Sequence, residues 1–434
     1  MPRRLPFALL VSAFVANSLA AAGLLVAFHT AGDGGLARID LGPAGRAVAP
    51  APAVLFRAPS FAAAAKLRVS ADGRHATLNS ETEGRANFAI INLASAETPA
   101  ASPRLLTLDF TPEEHRLDNN RVYIGGTDGN LVSLDLAGGS ITHRWNSRRQ
   151  LTPAGHKPED LLALDPEGLL LVSHQKDGKK DRQGSRLVVL RLADLAFVAD
   201  LPLPRDHPEL HLSGKEAGPS PEVIRVDRAT NTLLLTLDLY GALAFADLDS
   251  ALAGHLKNYT AVPTSADGSW GTAFPDRIAL ATHAGKTYAF VSNASAGRGI
   301  AIFDIAARRR TGFLPVEAGC ELPVSLDGGR RLATLVSGKI KHRDATAITK
   351  SEQPGADLLL IDIAGAVQGD RAALTRFPLG APATRIAPVA GSDTLVAVSL
   401  SGASPQLIVY DTAARKEISR TPLPGEAVSL APLP

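Results

Sequence analysis

Residues 206–211 read DHPELH, and His207 and His211, four apart with Asp206 and Glu209 beside them, form the most ligand-like cluster in the chain. On a helix the two histidines would share a face and a divalent metal ion. Pro204 and Pro208 argue against that helix, and no third ligand can be named, so the segment reads as a solvated loop and no metal is expected. His29, His75 and His174 stand at the ends of strand-like segments, where histidines cap turns. Cys320 is the sole cysteine, which excludes an internal disulfide, a Cys-rich metal cluster and a Cys-x-x-Cys-His haem attachment. Its place beside Gly319 suits a small buried residue better than a nucleophile. No Gly-x-Ser-x-Gly elbow is present. No catalytic acid, base and nucleophile can be assembled from spacing, and no cofactor is expected. These observations lean toward a protein that is not an enzyme.

The elements that would position these residues repeat. An alternating apolar strand, often ending in Asp and followed by a small or polar turn, recurs as GLARIDL (35–41), NFAIINL (87–93), NLVSLDL (130–136), RLVVLRL (186–192), ALAFADL (242–248), GIAIFDI (299–305), DLLLIDI (357–363) and QLIVYDT (406–412). Successive copies lie 43 to 58 residues apart, close to one four-stranded propeller blade per step. A second strand precedes most copies across a short turn, best seen in RVYIGGTDGNLVSLDL (121–136) with Asp128-Gly129 at the tip. The segment GLLVAFHTAGDGGLARIDL (23–41) has the same form. Nearly every segment alternates with period two, and no amphipathic helix of twelve residues is evident.

The two chain ends complement each other. The C-terminal hairpin is followed by an outer strand, RKEISRTPL (415–423), and then by EAVSLAPLP (426–434), an inner strand lacking the rest of its blade. The N-terminus has a middle hairpin and RAVAPAP (46–52) as a candidate outer strand, but no inner strand. Joined, they make one blade and remove exposed sheet edges. The expected fold is therefore all-β, a propeller of eight four-stranded antiparallel blades closed by N- and C-terminal strands sharing one blade. Seven blades is the alternative, if the first hairpin packs outside the ring.

SADGRH (70–75) and SLDGGR (325–330), placed where inner strands turn into second strands, together with the IFDI and IVYD endings, resemble the YVTN-type, or WD40-like, bacterial β-propeller repeat. The resemblance spans nearly all of the mature chain and implies fold far more than activity. Trp-Asp and Gly-His signatures of WD40 repeats proper are missing. SADGSW (265–270) resembles a sialidase Asp-box only loosely, and Trp145 and Trp270 are too few for the tryptophan-docking motif of quinoprotein dehydrogenases. Some YVTN-type relatives bind single-stranded DNA, but the row of aromatic platforms this needs is not evident. With 45 Lys plus Arg against 43 Asp plus Glu, bulk charge does not indicate nucleic acid either.

The N-terminus, MPRRLPFALLVSAFVANSLAAAGLLVAF, has a basic head, an apolar run and small-residue cleavage sites around Ala20 to Ala22. It reads as a signal peptide over 1–22 followed by one propeller domain over 23–434; a retained membrane anchor over 7–28 is the alternative. A periplasmic or secreted monomer is expected.

In a propeller the turns joining second to third strands and the crossovers between blades emerge on one face. The long insertions fall mainly there, and binding residues sit on such loops. Three of them, 146–159, 174–185 and 337–355, hold eleven Lys or Arg and five Asp or Glu. The candidate ligand-binding residues are Arg148, Arg149 and His156; His174, Lys176, Lys179, Lys180 and Arg182; Lys339, Lys341, His342 and Arg343; and Trp270 as a stacking anchor. A basic pole of this kind attracts an anionic envelope polymer or a protein partner, and salt weakens the attraction. The bland reading is that these charges keep long loops soluble. The competing functional reading is an enzyme of the propeller lactonase or dehydrogenase-subunit kind, with its site at the central channel.

Overall fold

The computed structural model describes residues 22–433, apart from 43, 83, 94–102, 119, 152–156, 176–184, 213–214, 217, 295–298, 317–318, 321–322, 338, 344–347 and 353–354. Eight four-stranded antiparallel sheets, each built outward from the axis, form a closed β-propeller. Blade 1 takes its inner strand, Glu426–Leu433, from the C-terminus and its other three, Ala22–His29, Gly34–Leu41 and Ala53–Ala58, from the N-terminal side. The expected closure is present, with Val26 opposite Leu430 and Gly23 opposite Leu433. Its outer strand is Ala53–Ala58 and not the expected 46–52, where Ala47 makes only an isolated bridge to Leu41. Pro50 and Pro52 lie within that stretch and remove backbone donors that a strand pairing would use.

Blades 2 to 6 and blade 8 have as inner strands Ala64–Val69, Pro112–Asp118, Pro158–Leu164, Pro221–Asp227, Pro275–His283 and Ala383–Pro388. Blade 7 has its inner position in two pieces, Gly319–Cys320 and Val324–Leu326, both paired to Arg331–Ser337. Cys320 is buried there. No α-helix among the described residues exceeds five residues, and none is long and apolar enough to cross a membrane.

Burial explains why the middle strands are nearly all apolar. Each blade is sandwiched between two others, so both faces of strands such as Thr232–Leu237 are covered along their whole length. Leu171, Leu187 and Val189 of blade 4 pack against Leu233 and Leu235 of blade 5, and similar clusters lie between the other blades. A fully buried Leu contributes about 2 kcal/mol in such a seam. Turn chemistry follows the hairpin expectation: at Asp128-Gly129 the glycine has φ +86°, and the Asp128 carboxylate accepts from the Asn130 backbone N–H at 3.1 Å.

A bulge interrupts the inner strands of six blades close to their start. In blades 2, 4 and 5 a polar residue next to last on the second strand accepts from the N–H that the bulge takes out of the ladder. Asn79 Oδ1 accepts from Lys66 N at 2.7 Å, Ser173 Oγ from Asp160 N at 3.0 Å and Thr236 Oγ1 from Val223 N at 2.9 Å. In these three blades the device fixes where the following side chains of the inner strand stand around the axis.

Candidate site in the axial channel

Four inner strands open with a proline followed by an acid: Pro112-Glu113, Pro158-Glu159, Pro221-Glu222 and Pro275-Asp276. Proline fits there because the inner strand is a sheet edge, where a missing donor breaks no ladder bond. The acids stand at the end of the channel that the crossover loops surround. One register step in, opposite the next-to-last residue of the second strand, lie Glu114, Asp160, Arg277 and Arg385. Two steps further, Arg68, Arg116 and Arg225 each pair with the third residue of their second strand, Thr77, Tyr123 and Leu234. Acid, mixed and arginine tiers therefore follow one another along the axis.

Ion pairs link these tiers across blades. Glu114 of blade 3 binds Lys66 Nζ and Arg68 Nη2 of blade 2, both at 2.8 Å. Lys157, just ahead of the blade 4 inner strand, lies 2.7 Å from Glu113 and 3.0 Å from Glu159. Arg225 Nη1 of blade 5 is 3.4 Å from Asp160 Oδ2 of blade 4, and Arg277 reaches Asp276 at 3.2 Å. Burial alone would raise the Glu114 carboxyl, but Arg68 and Lys66 overcome it and hold the group down at about 2. Burial dominates at Glu159 and Asp160, whose carboxyls are raised despite Lys157 and Arg225. Arg225 is lowered, first by burial and then by repulsion from Arg116, Arg277 and Arg68, with Asp160 opposing. His115, buried between Phe88 and Thr77, is lowered to about 3, chiefly by burial and then by Arg68.

The loop residues named from sequence are placed as follows. Arg148 and Arg149 are exposed on the helical turn Ser147–Gln150, whose first residues are capped by Asn146. His156, Lys176, Lys179, Lys180 and Arg182 lie outside the described residues. Lys339, Lys341, His342 and Arg343 belong to a strand, Lys339–Arg343, that pairs with Ile348–Glu352, so this insertion is a projecting hairpin; their side chains are outside the description. His174 is fully buried, its ring 5.9 Å from that of Trp145. Trp270 is half-buried and stacks on His207, ring centroids 3.6 Å apart and planes 31° apart, with Tyr240 edge-on to both.

The DHPELH segment is non-helical, as its prolines require. His207 Nδ1 faces Glu209 Oε1 at 2.9 Å, and His211 Nδ1 faces the Glu209 carbonyl at 2.9 Å. Among the described residues no group of three or more His, Cys, Asp or Glu could hold a metal ion.

Sequence reasoning passed over the channel charges. The signal was present in the recurring Pro-acid pair and in the Arg two or four positions after the proline in PEEHR, PEVIR and PDR.

No family model matches the chain, and no curated protein matches it by sequence. Solved structures do match in fold. A structure titled dihydro-heme d1 dehydrogenase NirN in complex with DHE aligns with TM-score 0.67 at 16% identity, covering 95% of this chain and 75% of that one. Apo AztD from Citrobacter koseri aligns with TM-score 0.57 at 14% identity over 95% of this chain and 98% of that one. A computationally designed protein, Ika8, aligns with TM-score 0.54 at 9% identity, covering 85% and 89%. At these identities the likeness is one of fold, and what the chain is similar to is an eight-bladed β-propeller.

Proposed function

We propose that this chain is an exported, non-enzymatic binding or scaffold propeller whose long-loop face takes an anionic envelope polymer or a protein partner. The observation that supports the reading is the concentration of Lys and Arg in three segments, 146–159, 174–185 and 337–355, that fall at second-to-third strand turns or blade crossovers of a rigid ring. Arg148 and Arg149 are exposed at its margin, and the Lys339–Arg343 hairpin extends from it. Charges held on a stiff scaffold capture a polyanion at little ordering cost.

The test compares the mature protein with a variant carrying Lys179→Ser, Lys180→Ser, Lys341→Ser and Arg343→Ser. The expected result is lower retention on a sulfated-polysaccharide column and loss of envelope-extract partners, both mimicked in the parent by raising salt. Equal retention and equal recovery by the two proteins would remove the basic-face reading.

A second reading, an enzyme with its site in the channel, is supported by the convergence of titratable groups there and by the dehydrogenase among its structural neighbours. It predicts that Glu159→Gln and Asp160→Asn abolish a turnover that the loop variant retains.

A further inference from the structure

We propose that the axial channel is a separate small-molecule site, taking a compact ligand that carries two or more oxyanion groups, a di- or tricarboxylate or a phosphate compound, on the guanidinium groups of Arg68, Arg116 and Arg225. Three observations converge on this chemistry.

The three arginines share one register level on blades 2, 3 and 5. They thus form an arc around part of the channel and not a scatter over the surface. The equivalent position on blade 6 is the small Ala279, opposite Phe290, which leaves room on the far side of the arc.

The channel is wet at this level. Arg116 is exposed although it sits on an innermost strand, and the side chains of Arg68 and Arg225 are 37% and 34% exposed. In a closed ring, water reaches those positions only along the axis.

Within the arginine tier the positive charge is incompletely offset. Glu114 is shared by Lys66 and Arg68, Lys157 serves Glu113 and Glu159, and Asp276 faces Arg277 on its own strand. Arg225 has one contact of 3.4 Å to Asp160 and otherwise donates to the Ile224 carbonyl. Arg116 has no carboxylate within ion-pair distance among the described residues. Arg116, Arg277 and Arg68 each repel the Arg225 guanidinium. An oxyanion on the axis relieves that repulsion, and the planar fork of Arg matches carboxylate and phosphate edges bidentately. The arginine tier lies further along the inner strands than the acids at the crossover end, so this site is distinct from the loop face.

The experiment is isothermal titration calorimetry of the mature protein at low salt with citrate, succinate, pyrophosphate and inorganic phosphate. Citrate and succinate test the carboxylate source, the other two the phosphate source. The expected result is one-to-one binding within one of these pairs, weakened about tenfold or more by Arg116→Gln, as follows from losing a charge-assisted contact. Arg116 is exposed, so this variant is expected to keep the parent circular dichroism spectrum and melting point; Arg116→Lys should recover binding in part. The four-residue loop variant should bind the same ligand unchanged, which separates this proposal from the basic-face reading. No binding by any of the four at millimolar concentration, or binding that Arg116→Gln leaves intact, overturns it.

Discussion

Val26 lies directly opposite Leu430, so a strand from the start of the folded domain and one from its end are joined edge to edge in a single sheet. Phe28, two residues on, is fully buried and pairs with Ala427 across the same seam. Phe28→Ala is expected to cost about 3–5 kcal/mol through the cavity it leaves in this closing blade. Urea unfolding should show the loss as a lower midpoint, and a midpoint equal to that of the parent would mean the seam does not hold the ring.

Glu114 links blades 2 and 3 through Lys66 and Arg68, and its carboxyl is held at about 2 against an ordinary 4.5. A depressed carboxyl contributes stability that is present above its unfolded value and lost as pH falls through its folded one. The expected contribution is about 3 kcal/mol, intact above about pH 5 and lost progressively toward pH 2. Glu114→Gln should destabilise the protein by a similar amount at pH 7, because it strands two cations, and should flatten the acid limb of the stability curve. Denaturant melts at pH 7 and pH 3 check both halves.

Asp118 behaves in the opposite sense. It lines a cavity of about 590 Å³ between blades 3 and 4, and its carboxyl is raised to about 6, first by burial and then by the nearby Asp165. Here the folded state holds its proton more tightly than the unfolded one, so stability falls as pH climbs from about 4 to about 6. Asp118→Asn should therefore stabilise the protein at pH 7.5, by about 1 kcal/mol once solvent screening at this half-open position is allowed for, and have little effect below about pH 4. Thermal melts across that range read the difference directly.

Trp145 is buried and Trp270 only half-buried, and they are the only tryptophans in the chain. In Trp270→Phe the remaining fluorescence should be blue-shifted and resist acrylamide. In Trp145→Phe it should be accessible to acrylamide, and His207→Ala should increase that access by uncovering one ring face. Equal quenching of the two single-tryptophan variants would contradict the difference in burial, and access unchanged by His207→Ala would contradict the stacking on Trp270.

The ring and its hairpins were legible because they depend on local patterns: Asp-Gly at a turn, an Asp ending a third strand, an apolar strand without a partner at each terminus. The middle strands departed from simple alternation, as in Leu187 to Leu190, because a neighbouring blade covers each face and both sets of side chains are buried. The outer strand of blade 1 was misplaced because 46–52 and 53–58 are both short and apolar, and only the prolines distinguish them. The stacking of His207 on Trp270 joins two separate crossovers, a proximity that no local spacing records. The arginine arc was hidden for a different reason. On one strand an Arg four residues after a proline looks like ordinary surface polarity, and only the bulges and the ring bring Arg68, Arg116 and Arg225 to one level.

The shared blade also sets an order of events in time. The strand that finishes it is synthesised after blades 2 to 8, whereas the strand it must meet precedes them. Bringing such distant segments together carries an entropic cost on the order of 5 kcal/mol for an unstructured loop of several hundred residues, which shrinks as intervening blades assemble and draw the ends together. Until then Ala22–His29 has a bare, strongly apolar margin, a hazard for aggregation during synthesis.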